Sequence, residues 1–571
     1  MDSPNQTTTI DGLFGGKQKF AVPSFQRAYS WQTKGGNQVG QFLSDICEQS
    51  NGRQYYLGHF LFESTSDDAS IMVVDGQQRL TTTVIFMSCL VSECEKRGII
   101  ELGGTMVAEI AETYLEHYGQ KFQTVRDDAA YFTSRIIKRK PDAIRATERK
   151  SERNISDAAD FFAAVMKEAS SDDLFAWYEV LSKAVITTYT VSGYDAKAIS
   201  AQIFAFQNDR GKDLTTLEKT KAWMMFQAYR CDIPTEDASY LVEAIESRFS
   251  DIYGMSEYLS ESEDTILGWH RQAFIDDKGD GALESIKRAF ANAQNKVDWL
   301  LNFAATLAKT FRYVRDIEQV EERCDGLVAD ICHLGKSSAM PLLIKMHHYG
   351  FAAEAAKSQK ALALIEQILF KLTFQNAGYR TNNLSKFALA FDGKNFEACL
   401  MPSLQNAAAN GFQPYWDFNG NCLRFFTENR YHYIGEIKYV LYKYENYLRS
   451  QRNEAKLDIG ACRGIFRENK RVENTLDHIA PQTPDYTDYT DAFRRDYLNN
   501  IGNLSLLSWS GNSTKSNSDP AKPEVRERYN TPQWSQKEVY EVLCAGHWGE
   551  KEIEARRKRI VDFVIKNWQL A

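Results

Sequence analysis

The segment that most restricts the fold is SIMVVDGQQRLTTTVIFMSCLVSECEKRG, residues 70–98. A short run rich in Ile and Val stops at Asp75-Gly76, and beyond it Leu80, Val84, Met87 and Leu90/Val91 recur at helical spacing. The unit is therefore strand, tight Asp-Gly turn, helix. A strand in this position needs sheet neighbours. KFAVPSF and YYLGHFLFES, both short and rich in Val, Phe and Tyr, supply them, so the first hundred residues read as a small mixed sheet.

From about Met106 to Leu400 nearly everything reads helical, with apolar stripes such as Leu362, Ile365, Leu369 and Leu372. One segment interrupts the pattern. In SAQIFAFQNDRGKDLTTLEKTKAWMMF an Asn-Asp-Arg-Gly turn precedes a helix start, where Thr215 and Glu218 have the spacing of a capping box. YHYIGEIKYVLYKYENYL, from Tyr431, reads as a further amphipathic helix. The character then changes to RVENTLDHIAPQ, a polar loop, NNIGNLSLLSWSGN and a helical tail. With domains of about 150 residues, a chain of 571 residues has room for three or four. The sequence supports three regions: 1–230, a helical middle over 231–430 that ends at a boundary near 400 to 430, and 431–571. The fold class expected is α+β, predominantly helical.

With 43% hydrophobic and 25% charged residues and 12 prolines, the chain belongs to the globular class. Its 68 Lys and Arg against 76 Asp and Glu leave a net charge of -8, so a polyanion partner must be met by a local patch. The ten cysteines are scattered without C-x-x-C or zinc-finger spacing and read as reduced thiols, mostly core. No basic-then-apolar leader and no run of about 18 apolar residues occurs, so the expectation is a cytoplasmic protein with no membrane partner. A homo-oligomer is compatible with the sequence.

Three polar clusters stand out: Gln26-Arg27 in VPSFQRAYSW, Asp75-Gly-Gln-Gln78-Arg79 after a strand, and Asn208-Asp-Arg210-Gly211 before a capped helix. Each supplies planar amide or guanidinium donors. Two of them sit where a helix N-terminus is expected to point backbone N–H groups outward, which favours phosphate. Asp75 could hold a Mg²⁺ ion that bridges phosphates. Gly335-Lys336-Ser337 is no Walker A sequence, because Asp330 stands where that pattern requires glycine. Tyr29 and Trp31, beside Gln26-Arg27, are read as sheet core before base-stacking groups.

VPSFQRAYSW, YYLGHFLFE, VVDGQQRLTT and FQNDRGKDLTTLEKTK resemble, in order, the motifs of the ParB-like, DGQQR-containing domain of the GmrSD family of modification-dependent restriction enzymes and the related SspE-type defence proteins. The resemblance implies a ParB-like mixed α/β unit that binds and hydrolyses a nucleoside triphosphate, GTP or ATP. Gln26, Arg27, Asp75, Gln78, Arg79, Asn208, Arg210, Gly211 and Lys221 would line the site. Lys219-Thr220 stands where the family usually has a hydrophobic residue before the lysine, so Lys219 and Lys221 are both candidates to face phosphate.

Near the other end, Asp477-His478 closes a β-like run, Asn503 follows 25 residues after His478, and Asn512 follows nine residues later. A one-metal nuclease needs these types: a carboxylate and an amide oxygen on Mg²⁺ or Mn²⁺, a neutral histidine to deprotonate water, and an amide to fix the histidine. LDHIAPQ, IGNLSLL and the N-x₄-N of Asn512 and Asn517 resemble the HNH-like ββα-metal nuclease domain that ends GmrSD-family proteins. By that resemblance Asp477 and Asn512 hold metal, His478 is the general base, and Asn503 orients it, with Asn517 a second candidate. DNA phosphates would meet Lys515 and the run Arg556, Arg557, Lys558, Arg559. The basic stretch 135–153, with Asp142, Glu148 and Glu152 mixed in, reads rather as a solvated helix face.

The function expected is an antiviral restriction enzyme in which the nucleotide site controls Mg²⁺-dependent cleavage or nicking of phage or modified DNA, for instance phosphorothioated, through domain rearrangement. The alternative is a nucleotide-sensing DNA-binding module whose nuclease end is inactive and which acts through partners. RNA would serve the same chemistry.

Overall fold

The computed structural model describes residues 5–34, 37–49, 54–64, 70–116, 119–140, 149–192, 200, 203, 214–324, 326–351, 358–375, 383–412, 417–428, 436–461, 465–467, 470–472, 474–508 and 517–570. The chain is predominantly helical with a small mixed sheet at its N-terminal end. By internal contacts it divides into two compact units. One comprises residues 1–268 and 279–315, the other 269–278 and 316–571, so the helical middle is shared between them.

In the first unit the strands are β1 Asn5–Thr9, β2 Lys19–Ala21, β3 Tyr56–Ser64, β4 Ser70–Asp75, a hairpin of β5 Glu101–Leu102 and β6 Thr105–Met106, β7 Phe122–Gln123 and β8 Val185–Ser192. Six of them form one sheet in the order β1-β8-β3-β4-β2-β7. β3 runs antiparallel to β4 and parallel to β8, whereas β2 is parallel to both β4 and β7. β8 corrects the sequence reading, which ran helix through this region. VITTYTVS is rich in β-branched residues and buries Ile186, Thr188 and Val191, which suits a strand between β1 and β3. The Gln77–Arg97 helix covers the sheet, and Leu80, Val84, Met87, Leu90 and Val91 are all buried in one core with Phe20, Phe60 and Phe62. Burial of each such side chain contributes about 1.5–3 kcal/mol.

In the second unit the Gly326–His348, Gln359–Thr373, Glu436–Ser450 and Glu550–Trp568 helices enclose an aromatic-rich core in which Phe370 stacks on Trp568 at 3.6 Å. Two small hairpins accompany them: β9 Ile465–Arg467 with β10 Lys470–Val472, and β11 Asn474–His478 with β12 Leu504–Ser508. A separate small core lies beside β11 and β12, formed by Ile479, Phe493, Leu498, Leu507, Tyr529, Trp548 and Ile553. Gly326–His348 is long and apolar enough to cross a membrane by length and composition, but it buries Asp330 and Lys345 against the protein. Among the described residues nine cysteines are free thiols; Cys94, Cys332 and Cys422 are fully buried, Cys544 is exposed and the rest lie between.

Candidate functional sites at the two ends of the chain

Asp75 is the last residue of β4, and Gly76 begins the following helix at φ 89°. Only glycine suits this turn: its left-handed backbone strains other residues, and a Cβ here would lie 2.3 Å from the Phe60 ring. Two residues on, Gln78 reaches back to the QRAYS segment, its Oε1 accepting from Ser30 N–H at 2.9 Å and its Nε2 donating to Ala28 O at 3.1 Å. Gln26 donates to Val74 O at 2.9 Å, beside Asp75. Lys221 donates to Phe25 O at 3.0 Å and to Gln26 Oε1 at 3.4 Å. Arg27 bonds Ser30 Oγ at 2.5 Å and lies 3.9 Å from Glu218. The described members of the N-terminal motifs, Gln26, Arg27, Asp75, Gln78, Arg79 and Lys221, are thus drawn into one constellation. Asn208, Arg210 and Gly211 lie outside the described residues.

Several of the charged groups are already engaged. Arg79 donates to Leu57 O at 3.0 Å and His59 O at 2.7 Å, lies 3.7 Å from Asp75 and stacks over Phe60. Burial pulls its pKa down, and burial pushes that of Asp75 up against the pull of Arg79. Lys221 points inward, fully buried between the Phe25 and Tyr253 rings, and burial pulls its ammonium down to about 8. At Arg27 burial opposes the charge, but the carboxylates of Glu218 and Glu263 outweigh it and raise the pKa.

The two helix starts differ. No side chain caps the Gln77–Arg97 helix. The Thr216–Arg230 helix, expected as a second anion site, has its first donors occupied: Thr216 and Leu217 N–H donate to the Asp264 carboxylate at 2.9 Å each, and Glu218 N–H to Thr215 in the expected capping box. This corrects the sequence reading, because a carboxylate from a helix far along the chain takes the place of phosphate. A cavity of about 260 Å³ adjoins Gln26 and is lined by Arg126, Asp127, Arg149 and Tyr253; among the described nucleotide candidates, Gln26 is the one that lines it.

Gly58 was missed by sequence reasoning. Its φ is +115°, and a Cβ there would lie 2.0 Å from Arg79 Nη1, so glycine is what lets the guanidinium reach the β3 carbonyls. The glycine in YYLGHF, inside a strand pattern, was the available signal.

At the other end, Asp477 and His478 close β11 opposite Ser505 and Leu504 of β12. Asp477 is buried, and its Oδ2 accepts from the Tyr529 hydroxyl at 2.5 Å; burial holds that phenol well above its usual pKa, so it stays a donor. His478 Nε2 lies 2.9 Å from Asn499 Oδ1. Asn503, expected to orient the ring, has its amide bonded elsewhere: Oδ1 accepts from Ala480 N–H at 2.8 Å and Trp548 Nε1–H at 3.0 Å, and Nδ2 donates to Leu498 O at 2.8 Å and Ala480 O at 3.2 Å. It fastens the chain after His478 to the chain before Asn499. Asn499 is the residue that sequence reading missed. Nothing in YLNNIGN sets it apart from Asn500, whose side chain caps the short Ile501–Asn503 turn. Asn517 is exposed and contributes its backbone O to Asp485 N–H. Asn512 and Lys515 lie outside the described residues.

The basic run near the C-terminus also needs correction. Arg556 is buried, donating to Ile501 O, Gly502 O and Leu504 O at 3.3, 3.0 and 2.6 Å, so it anchors the Asn503 turn instead of facing DNA. Arg557 pairs with Glu554, while Lys558 and Arg559 are exposed. In the earlier basic stretch Arg135, Arg139 and Arg149 pair with Asp160, Glu95 and the Asp127-Asp128 pair. Tyr29 is buried on Thr82, as expected of sheet core.

Residues 10–225 match the family model of the GmrSD restriction endonuclease N-terminal domain, and residues 416–563 that of the GmrSD restriction endonuclease C-terminal domain. No curated protein matches the chain. Both domains occur here in one chain and together span more than half of it, with the DGQQR turn in the first and Asp477-His478 in the second; the chain belongs to the GmrSD restriction endonuclease family.

Proposed function

We propose that the chain is a nucleotide-controlled, metal-dependent nuclease of modified DNA, in which a nucleoside triphosphate, GTP or ATP, bound and hydrolysed at the N-terminal constellation governs phosphodiester cleavage at Asp477-His478. The observation that carries the reading is the juxtaposition at the end of β11 of a buried carboxylate held by Tyr529 and an imidazole held by a neutral amide. A carboxylate beside a base is the donor chemistry a hard cation uses, and Asp477 with Asn512 would hold Mg²⁺ or Mn²⁺ there. When bound, the metal would offset charge on the scissile phosphate and the leaving oxygen. His478 takes the proton of the attacking water, the role an imidazole fills near neutrality. Tyr529 keeps the Asp477 carboxylate oriented, and Asn503 keeps the strand end in register. Lys558 and Arg559 add sequence-independent contacts to DNA phosphates.

At the N-terminal end the start of the Gln77–Arg97 helix would offer backbone N–H groups and the positive end of its dipole to a phosphate, with Arg27 nearby, and Asp75 is the carboxylate that would hold Mg²⁺ there. The test is digestion of unmodified, glucosylated and phosphorothioated DNA by the full chain with and without each nucleotide, alongside nucleotide turnover by Asp75→Ala protein. The reading expects nucleotide-dependent cleavage of a modified substrate and loss of turnover in the variant. Undiminished turnover by Asp75→Ala would remove the nucleotide half.

A further inference from the structure

Asn499 belongs to none of the motifs at this site, yet its amide oxygen faces the ring of His478. We infer that Asn499 is the positioning residue of His478: it holds the imidazole in the tautomer protonated on Nε2 and so presents Nδ1 as the proton-accepting nitrogen. What Nδ1 then does rests on the nuclease reading; the tautomer does not.

An amide oxygen only accepts, so the ring nitrogen 2.9 Å from Asn499 Oδ1 is the one that carries the proton. A neutral imidazole has a single N–H, which leaves the lone pair on Nδ1. The amide is itself fixed by its neighbours. Leu498 N–H donates to Phe493 O at 3.0 Å, Asn500 N–H to Tyr497 O at 3.1 Å, and Asn500 Oδ1 accepts from Gly502 N–H at 2.9 Å. Leu498 and Asn500 are both buried, so Asn499 projects from a turn that is locked on either side. The same turn is tied to the chain beyond His478 by Asn503, through Leu498 O on one side and Ala480 on the other. Ring and amide therefore keep their register through one buried side chain that bonds the backbone on both sides.

The test uses the full-length protein. In metal-free protein labelled with ¹⁵N-histidine, with His478→Ala to identify the signal, the ring should show the Nε2–H form. Asn499→Asp, which keeps an acceptor, should preserve it; Asn499→Leu, of similar size without one, should lose it. In DNA cleavage, Asn499→Leu should lower kcat about 10- to 100-fold at unchanged KM, part of what a positioned base supplies, and Asn499→Asp should stay within about threefold. An Nδ1–H ring in the wild type, or Asn499→Leu protein with wild-type tautomer and kcat, overturns the inference. If His478→Ala cuts as well as wild type, the nuclease reading fails, and the ring spectrum still decides the role of Asn499.

Discussion

The two ends of the chain hold their functional residues by different means. The N-terminal constellation is held together largely by charge: Arg79 on two carbonyls and Asp75, Arg27 near Glu218, Lys221 buried on Phe25 O and Gln26. The side chains that hold the C-terminal site are mostly neutral, with Asn499 on His478, Tyr529 on Asp477, and Asn503 on four backbone and indole partners, and one buried cation, Arg556, on the carbonyls of residues 501, 502 and 504. Buried charge is expensive and responds to any change in nearby charge, whereas a satisfied neutral network is rigid across the pH range. On the proposed function, the difference suits an end that responds to a polyanionic nucleotide and an end that keeps one geometry.

The largest effect is expected at the neutral end. Asn503→Leu strands two N–H donors and two carbonyls in the core and should cost about 3–5 kcal/mol in urea unfolding, with little dependence on pH. At the charged end, the Lys221 ammonium titrates near 8 in the fold, below the ordinary value of 10.5. The unfolded chain then binds more protons between these values, so this group's contribution to stability rises as pH climbs from about 8 to 10.5, by about 3 kcal/mol. That rise should be missing from the stability-versus-pH curve of Lys221→Met protein; if its profile is identical to the wild type's, Lys221 does not carry the effect. Gly58→Ala should cost about 2 kcal/mol, because the new Cβ displaces the Arg79 guanidinium and the β3 backbone at this position has a positive φ. Asp264→Asn, which keeps one acceptor for the Thr216–Arg230 helix start, should cost about 1 kcal/mol.

What was legible in the sequence was local. The strand, Asp-Gly turn and helix around Asp75, the Thr215-Glu218 capping box, and the strand ending at His478 all follow from short-range pattern and appear in the structure. What was not legible depends on partners distant in sequence. Asp264 takes the donors of a helix that starts 48 residues before it. β8 finds its place between β1 and β3 by pairing with strands more than a hundred residues earlier. Arg556 looks like part of a basic surface run until its helix is packed against residues 501–504, where three carbonyls claim one nitrogen. Asn499 and Asn500 are indistinguishable in the sequence, and the turn alone decides that one faces the histidine and the other its own backbone.

On the proposed function, Asp477-His478 is the working cleavage centre of this restriction endonuclease. The most direct test is the cleavage rate of modified plasmid DNA by wild-type and His478→Ala protein, with Mg²⁺ and each nucleotide present. The variant should lose about 10²-fold or more in rate, with unchanged unfolding and nucleotide turnover. Equal cutting by the two proteins would contradict it.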